Sequence, residues 1–415
     1  MSRLRVMIIG AGTGGLALAH GLRAAGVSVQ VFERDHKLTD RLQGYRLTIN
    51  ANGARALQSC LPQPNFERYI AASAKVSTAV SFLDHKLRRL LFLDVPSAGQ
   101  TAPNAPRPIS RVALRQILAE GLEEVVAFGK TFESFETMPD GSVTARFEDG
   151  SSADGNVLVG ADGAASRVRR QLLPDAQRID TGVVMVSGKF PLDETVRRQT
   201  PAPVFKGPTL IVGPRGCCMF TGAVEYPPAH LAAYDRDEYV MWGFSAHRDR
   251  FGLTDATADV VLPDARGAVL AQMTDWSVDL RRLVERAEAS SLTSIAVKSS
   301  VPVPCWETKS VTLLGDALHN MTPFRGIGAN TALRDAALLR GALASADRGE
   351  RKLLAALSDY EREMIDYGFA AVRASLAQMK RVHATSPFTQ FATKAFFRLA
   401  DRSRWLRKRA IDTGS

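Results

Sequence analysis

The 415-residue sequence predicts an α/β fold in which a parallel-sheet region is interleaved with an antiparallel sheet and followed by C-terminal helices. Three observations predict it. Residues 4–9 (LRVMII) and 27–32 (VSVQVF) are short apolar runs suited to strands buried on both faces, and residues 14–25 between them carry a helical pattern. Between about 180 and 300, the runs VVMVSGKF, PTLIVG, CCMFTGAV and EYVMWGFSAH are broken by Gly and Pro turns, as in an antiparallel layer. Residues 331–346 and 351–382 then read as helices.

Along the chain, residues 97–108 (SAGQTAPNAPRP) form a Pro-rich connection, after which Ser110 caps a helix through Val112–Gly121. Val143–Phe147 and the apolar Val157–Val159 return strands to the first region. A chain of this length exceeds one ordinary core. The expected division is residues 1–72, 104–178 and 300–350 in a discontinuous first domain, 73–103 and 179–299 in the sheet domain, and 351–415 in the C-terminal helices.

Hydrophobic residues make up 45% and charged residues 23%, the balance of a fully folded globular chain. A net charge of +10 attracts anions, but zinc-knuckle spacing and aromatic RNP patterns are absent from the sequence. A phosphate-bearing cofactor is therefore expected, and nucleic acid is not. Cys60, Cys217, Cys218 and Cys305 show no CxxC spacing, which points to a reducing cytoplasm, and the adjacent pair would bond only with strain. Residues 1–22 superficially resemble a signal peptide, yet their glycine spacing fits strand, tight turn and helix. No apolar run reaches the ~18–20 residues of a membrane span. The basic tail 392–410, with Phe396, Phe397, Leu399, Trp405 and Leu406 interleaved, reads as a helix packed on the protein, with a membrane surface as the alternative.

Gly10-Ala11-Gly12-Thr13-Gly14-Gly15 is a GxGxxG between a strand and a helix, with Glu33 eighteen residues beyond Gly15. Glycine at 10 permits the turn, at 12 admits a pyrophosphate, and at 15 lets helix and sheet approach, while the helix N-terminus favours the anion. Glu33 suits a ribose hydroxyl. A second signal, Val157-Leu158-Val159-Gly160-Ala161-Asp162-Gly163, runs from an apolar strand into Asp-Gly. A third, Val311–His319, passes through Gly315-Asp316 to Pro323 and to Gly326-Ile327-Gly328-Ala329-Asn330 at a helix start. Singly, Asp-Gly and Gly-Asp are ordinary turns.

Taken in order with Glu33-Arg34 and Arg111, these motifs resemble the single-component, class A flavoprotein monooxygenases, the group of para-hydroxybenzoate hydroxylase, salicylate hydroxylase and the tetracycline-inactivating monooxygenases, over essentially the whole chain. The nearest likeness is to the last of these, in Met273-Thr274-Asp275-Trp276, Pro304-Cys305-Trp306 and Leu314 to Asn330. The resemblance implies a Rossmann-like FAD-binding domain. Gly10, Gly12, Thr13, Gly14 and Gly15 would hold the FAD pyrophosphate, Glu33 and Arg34 its adenosine end, and Arg111 its middle. Asp316 would bind ribityl hydroxyls and Asp162 would join the shell near the phosphates. Arg41 or Arg46 would meet FAD or nicotinamide phosphates, and Gly326, Gly328, Ala329 and Asn330 would point a helix N-terminus at the flavin. The family's Pro-Pro-x-x-Gly-Gln-Gly is replaced here by Thr322-Pro323 and Arg325-Gly326-Ile327-Gly328, which puts cofactor mobility in doubt and leaves Arg325 beside the ring or facing outward.

By the same resemblance, NADPH or NADH acts as a transient co-substrate, molecular oxygen adds at flavin C4a, and the hydroperoxide oxygenates an aromatic or polycyclic small molecule. Such a site must exclude water. Phe220, Trp242 and Phe244 of the middle sheet, with Met321, Pro323 and Phe324 of the flavin loop, are the expected lining, and Cys218 sits beside them. His247 is the candidate base for a phenol, set against a plain exposed histidine at a strand end. His319 reads as support for the cofactor loop. Two alternatives stand: an FAD-dependent reductase, and a flavoprotein that binds a ligand without turnover. The halogenase motif W-x-W-x-I-P is absent. Sequence does not distinguish monomer from dimer.

Overall fold

The computed structural model describes residues 4–38, 40, 45–94, 105–227, 237–255 and 260–403. A five-stranded sheet has the order Val311–Leu313, Val157–Gly160, Arg5–Ile9, Ser28–Phe32, Val126–Ala127. Every pairing in it is parallel. The apolar runs read from the sequence are buried in its three central strands because helices cover both faces. Three adjacent strands, 5–9, 157–160 and 311–313, therefore release Gly10–Gly12, Ala161–Ser166 and Leu314–Asp316 at one sheet edge. That edge, at the carboxyl ends of parallel strands, is where ligands bind in such folds.

The helix Thr13–Ala24 returns the chain under this sheet, and the helix Gly328–Asp347 packs beside it. A two-stranded ribbon pairs Arg46–Ile49 with Arg107–Ser110, so residues expected to close a Pro-rich connection form a strand. Ser110 then accepts a hydrogen bond from Ala113 N–H at 3.5 Å and starts the helix Arg111–Ala119.

The larger sheet has seven strands in the order Thr293–Ser300, Arg178–Pro191, Tyr239–His247, Cys218–Val224, Thr209–Val212, Ala79–Asp84, Arg89–Asp94. Strict alternation gives it two different faces. One face carries Met219, Trp242 and Phe244 into a core with Val269, Met273, Trp276 and Leu280 from the helices Ala265–Gln272 and Val278–Glu285. The opposite face carries Met185, Leu210, Phe220, Met241 and Gly243, all half-buried. Phe324 and Met185 pack against one small cluster of Val183, Val297 and Met379, which brings the loop after Asp316 to the sheet. The long helix Leu353–Val382 and the helix Pro387–Arg402 close the molecule.

Candidate cofactor and active site

The glycine turn separates positions crowded by protein from one that is not. A Cβ on Gly15 would lie 2.2 Å from Gly10 O, and one on Gly14 would lie 2.5 Å from Leu314 Cδ1. Gly10, at φ +111°, would place a Cβ 2.5 Å from Ala161 O. Gly12 has extended backbone that any residue adopts, and nothing lies within 4 Å of where its Cβ would be. The first turn of Thr13–Ala24 has no side-chain cap and no acidic residue, so its N–H groups face that opening.

The N-terminus of Gly328–Asp347 is likewise uncapped by a side chain, and the nearest atoms to a Cβ on Gly328 are Met321 Cγ at 3.8 Å and Asp316 Oδ1 at 3.9 Å. Gly14 meets Leu314 and Ala332, so the two helix ends stand together. Two open helix N-termini fit the pyrophosphate and the pyrimidine edge of FAD. Arg111 is exposed yet ringed by protein, as a group on the floor of an open cleft is; burial lowers its pKa while Asp316 opposes the shift. Asp162 accepts Arg167 N–H at 2.7 Å through Oδ2, and its buried Oδ1 has no protein partner.

At the end of the second strand, Glu33 accepts Ala11 N–H at 2.8 Å and Asp35 N–H at 3.0 Å, which ties the turn to that strand. Arg115, absent from the sequence reading, organises this corner. It donates to Ala11 O at 3.2 Å and Leu38 O at 2.8 Å, and pairs with Glu33 at 3.3 Å and Asp35 at 3.4 Å. Its signal was the i, i+4 spacing from Arg111 on one helix face. Arg115→Ala leaves two buried carboxylates short of a partner, a loss of about 1–3 kcal/mol. FAD titrated by fluorescence quenching should bind on the order of tenfold more weakly, with Arg115→Lys intermediate. Arg34 is exposed at the same end, and Arg41 lies outside the described residues.

The Gly315-Asp316 loop is held from behind by Asp335. This fully buried carboxylate accepts Gly315 N–H at 2.7 Å, pairs with His319 Nε2 at 2.7 Å and accepts the Tyr367 hydroxyl. Burial, the largest effect on His319, lowers its pKa, but the Asp335 charge and hydrogen bond together outweigh it and raise the value. His319 is thus structural support. Asp335 was missed by sequence reasoning, although a carboxylate between the buried Thr331 and Leu339 of one helix face was the clue.

Three expectations are corrected. Trp242 and Phe244 are fully buried in the helix-covered core, on the sheet face away from the flavin loop. The side chain of Asn330 is buried and engaged by protein, donating to Thr48 O at 2.9 Å and accepting Asn50 N–H at 2.8 Å, so only the backbone of Gly328, Ala329 and Asn330 is left for a ligand. His247 is exposed at the strand end and pairs with Asp249. His247→Ala should leave kcat within about twofold, the ordinary limit for a surface substitution, checked by steady-state turnover. The histidine beside the flavin loop is His383. Its Nδ1 donates to Met379 O and its Nε2 accepts from Ser245 Oγ, both at 2.9 Å, and burial lowers its pKa to about 4, so it is neutral and engaged.

Phe220 does lie on the flavin-loop face of the sheet, half-buried, whereas Met321 is buried beneath the loop near Gly328 and Pro323 is exposed. Phe324 stands edge-on to His383 at 4.9 Å. Arg46 reaches over the same sheet face, with Nη2 3.8 Å from a Cβ on Gly222, and forms no ion pair among the described residues. Gly326, at φ +62°, ends the short turn Pro323–Arg325. Arg325 Nε and Nη2 are buried there without hydrogen-bond partners.

The FAD binding domain family matches residues 3–203 and 281–375. The chain is 31% identical over 364 residues to the FAD-dependent monooxygenase dbaB of Emericella nidulans, covering 81% of this chain and 86% of that protein. It is 30% identical over 384 residues to the dual O-methyltransferase/FAD-dependent monooxygenase CTB3 of Cercospora beticola, covering 86% of this chain but 44% of that longer protein. A crystal structure described as an FAD-containing monooxygenase of Photorhabdus luminescens superposes with a TM-score of 0.82 at 35% identity, over 92% of this chain and 98% of the other. Klebsiella pneumoniae HpxO, complexed with FAD and uric acid, shares the fold at a TM-score of 0.80 and 22% identity, over 98% and 95% of the two chains. The chain therefore belongs to the FAD binding domain family, and the relatives it is similar to include FAD-dependent monooxygenases.

Proposed function

We propose that the protein uses NADPH or NADH and molecular oxygen to oxygenate an aromatic or polycyclic small molecule held between the large sheet and the flavin loop. The observation that carries this reading is the half-buried face formed by Met185, Leu210, Phe220, Met241 and Gly243. A closed core would bury such residues fully; here they stay half-buried, on the sheet face where Phe324 and Met185 share one cluster. FAD, once bound, supplies a centre that takes two electrons from a nicotinamide and reacts with oxygen.

The chain's own part is positioning and exclusion of water. The N–H groups at Gly12–Gly14 would hold phosphate oxygens of FAD, and the Gly328 helix end would favour negative charge on the flavin. Asp316 accepts from ribityl hydroxyls. The apolar sheet face orders a flat ligand and keeps water from the reacting centre. Arg46 adds a cation to that face, whose pKa is lowered by burial and supported by Tyr239, so a ligand with an anionic substituent would be held at that end.

The test is NADPH and NADH oxidation by the FAD-loaded protein over phenols, quinones and tetracyclic compounds, in air and without it. Ligand-stimulated oxidation coupled to an oxygenated product supports the reading. Bound FAD with no stimulation by any ligand favours a non-catalytic binding flavoprotein, and reduction of the ligand without oxygen uptake favours a reductase. Gly243→Val locates the ligand: the atoms nearest its Cβ would be Ser187 Oγ at 3.5 Å, Met185 Sδ at 3.7 Å and Met185 Cγ at 4.0 Å, all ordinary contacts. The fold and FAD content should persist while the ligand KM rises roughly tenfold, the size of an overpacking penalty.

A further inference from the structure

The helix Pro387–Arg402 has two apolar faces, and the protein uses one. Phe397 and Ala400 pack with Leu90, Leu91 and Val212, and the Phe397 ring stacks on Phe82 at 4.8 Å. Asp401 accepts Arg89 Nη2 at 2.8 Å and Phe92 N–H at 3.0 Å. These contacts fix the rotation of the helix. With that rotation, Phe388, Phe391, Phe396 and Leu399 are 80%, 69%, 39% and 58% exposed. Ala392 and Ala395 fill the steps between them, so the six side chains make one continuous stripe. A single exposed apolar residue needs no explanation, but a stripe rich in phenylalanine does.

The charge around the stripe selects its partner. Arg398 and Arg402 are exposed on the same helix. The sequence that follows, Arg404-Trp405-Leu406-Arg407-Lys408-Arg409, lies outside the described residues. From Pro387 to Ser415 there are seven Lys and Arg against two Asp, which is half of the chain's net charge of +10. A second copy of the chain would bring an equally positive surface to the contact, and the two would repel. No helix among the described residues is long and apolar enough to cross a membrane.

We propose that this helix face rests on an anionic lipid bilayer, with the Phe and Leu side chains at the level of the acyl boundary and the arginines on the headgroups. The inner face holds the helix to the large sheet, so binding leaves the cofactor cleft unchanged. The proposal stands on the stripe and its charge, independently of the reaction assigned above.

The experiment is co-sedimentation of the full FAD-loaded chain with vesicles of phosphatidylcholine alone and of phosphatidylcholine mixed with phosphatidylserine. Binding to the mixed vesicles should be on the order of tenfold stronger and should weaken as salt rises. Phe388→Ser, Phe391→Ser and Leu399→Ser combined should abolish it with FAD content and unfolding transition unchanged, since those side chains touch little protein. Arg398→Glu with Arg402→Glu should remove the preference for phosphatidylserine while keeping the stripe. Failure to bind either vesicle, equal binding to both, or a wild-type dimer that the serine variant converts to monomer would each overturn the proposal.

Discussion

Gly12→Asp is expected to stabilise the flavin-free protein slightly while nearly abolishing FAD binding. The backbone at Gly12 is extended and no atom beyond its chain neighbours lies within 4 Å of its Cβ position, so the new side chain enters space without strain. As a helix N-cap it would accept from the free N–H groups of the first turn and place negative charge at the positive end of the helix. The gain is a few tenths to about 1 kcal/mol. The same space and the same N–H groups are what a pyrophosphate requires. Losing both, with a like charge added, should weaken FAD binding by about 3 kcal/mol or more, on the order of 100-fold. Denaturant unfolding of the flavin-free protein and FAD titration check the two halves separately. Gly15→Ala is the contrasting variant: its Cβ would lie 2.2 Å from Gly10 O, so stability and FAD binding should fall together.

Asp335→Ala should cost about 3–5 kcal/mol of stability, the range for breaking a buried ion pair by removing one partner. It strips acceptors from Gly315 N–H, His319 and the Tyr367 hydroxyl at once, and the Gly315-Asp316 loop loses its support. The variant should unfold earlier with or without FAD. Asp335→Asn separates charge from shape, and pH reads the difference. Because the folded-state pKa of His319 is raised above the ordinary 6.5, its pairing with Asp335 contributes fully below that value and is lost as pH rises through the raised one. Wild-type stability should therefore decline over that window, and Asp335→Asn should flatten the decline. A wild-type unfolding free energy with no slope there would contradict the ion pair.

The parallel sheet and the glycine turn were legible because each is a local pattern: apolar strands buried on both faces, and a turn whose glycines sit where backbone crowds backbone. The convergence of Gly10, Asp162 and Asp316 was legible only through the order of the motifs, and the strand order that makes their strands neighbours gives it a physical basis. Alternation along Tyr239–His247 was readable, but its direction was not. Aromatic Trp242 and Phe244 looked like a pocket, whereas Met241 and Gly243 face the flavin loop, because the helices Ala265–Gln272 and Val278–Glu285 cover the larger side chains. Arg115 and Asp335 escaped notice for a related reason. Each acts through partners 77 or more and 16 or more residues away, such as Leu38 for one and His319 for the other, and no local spacing encodes that meeting.

The most direct measurement is the flavin content of the purified wild-type protein and of Gly12→Asp after reconstitution with FAD, each beside its unfolding curve. One FAD per wild-type chain, with a folded Gly12→Asp that stays colourless, is the expected result. A wild-type chain that folds but takes up no FAD, or a Gly12→Asp protein that binds it as tightly as wild type, would contradict the cofactor site described here.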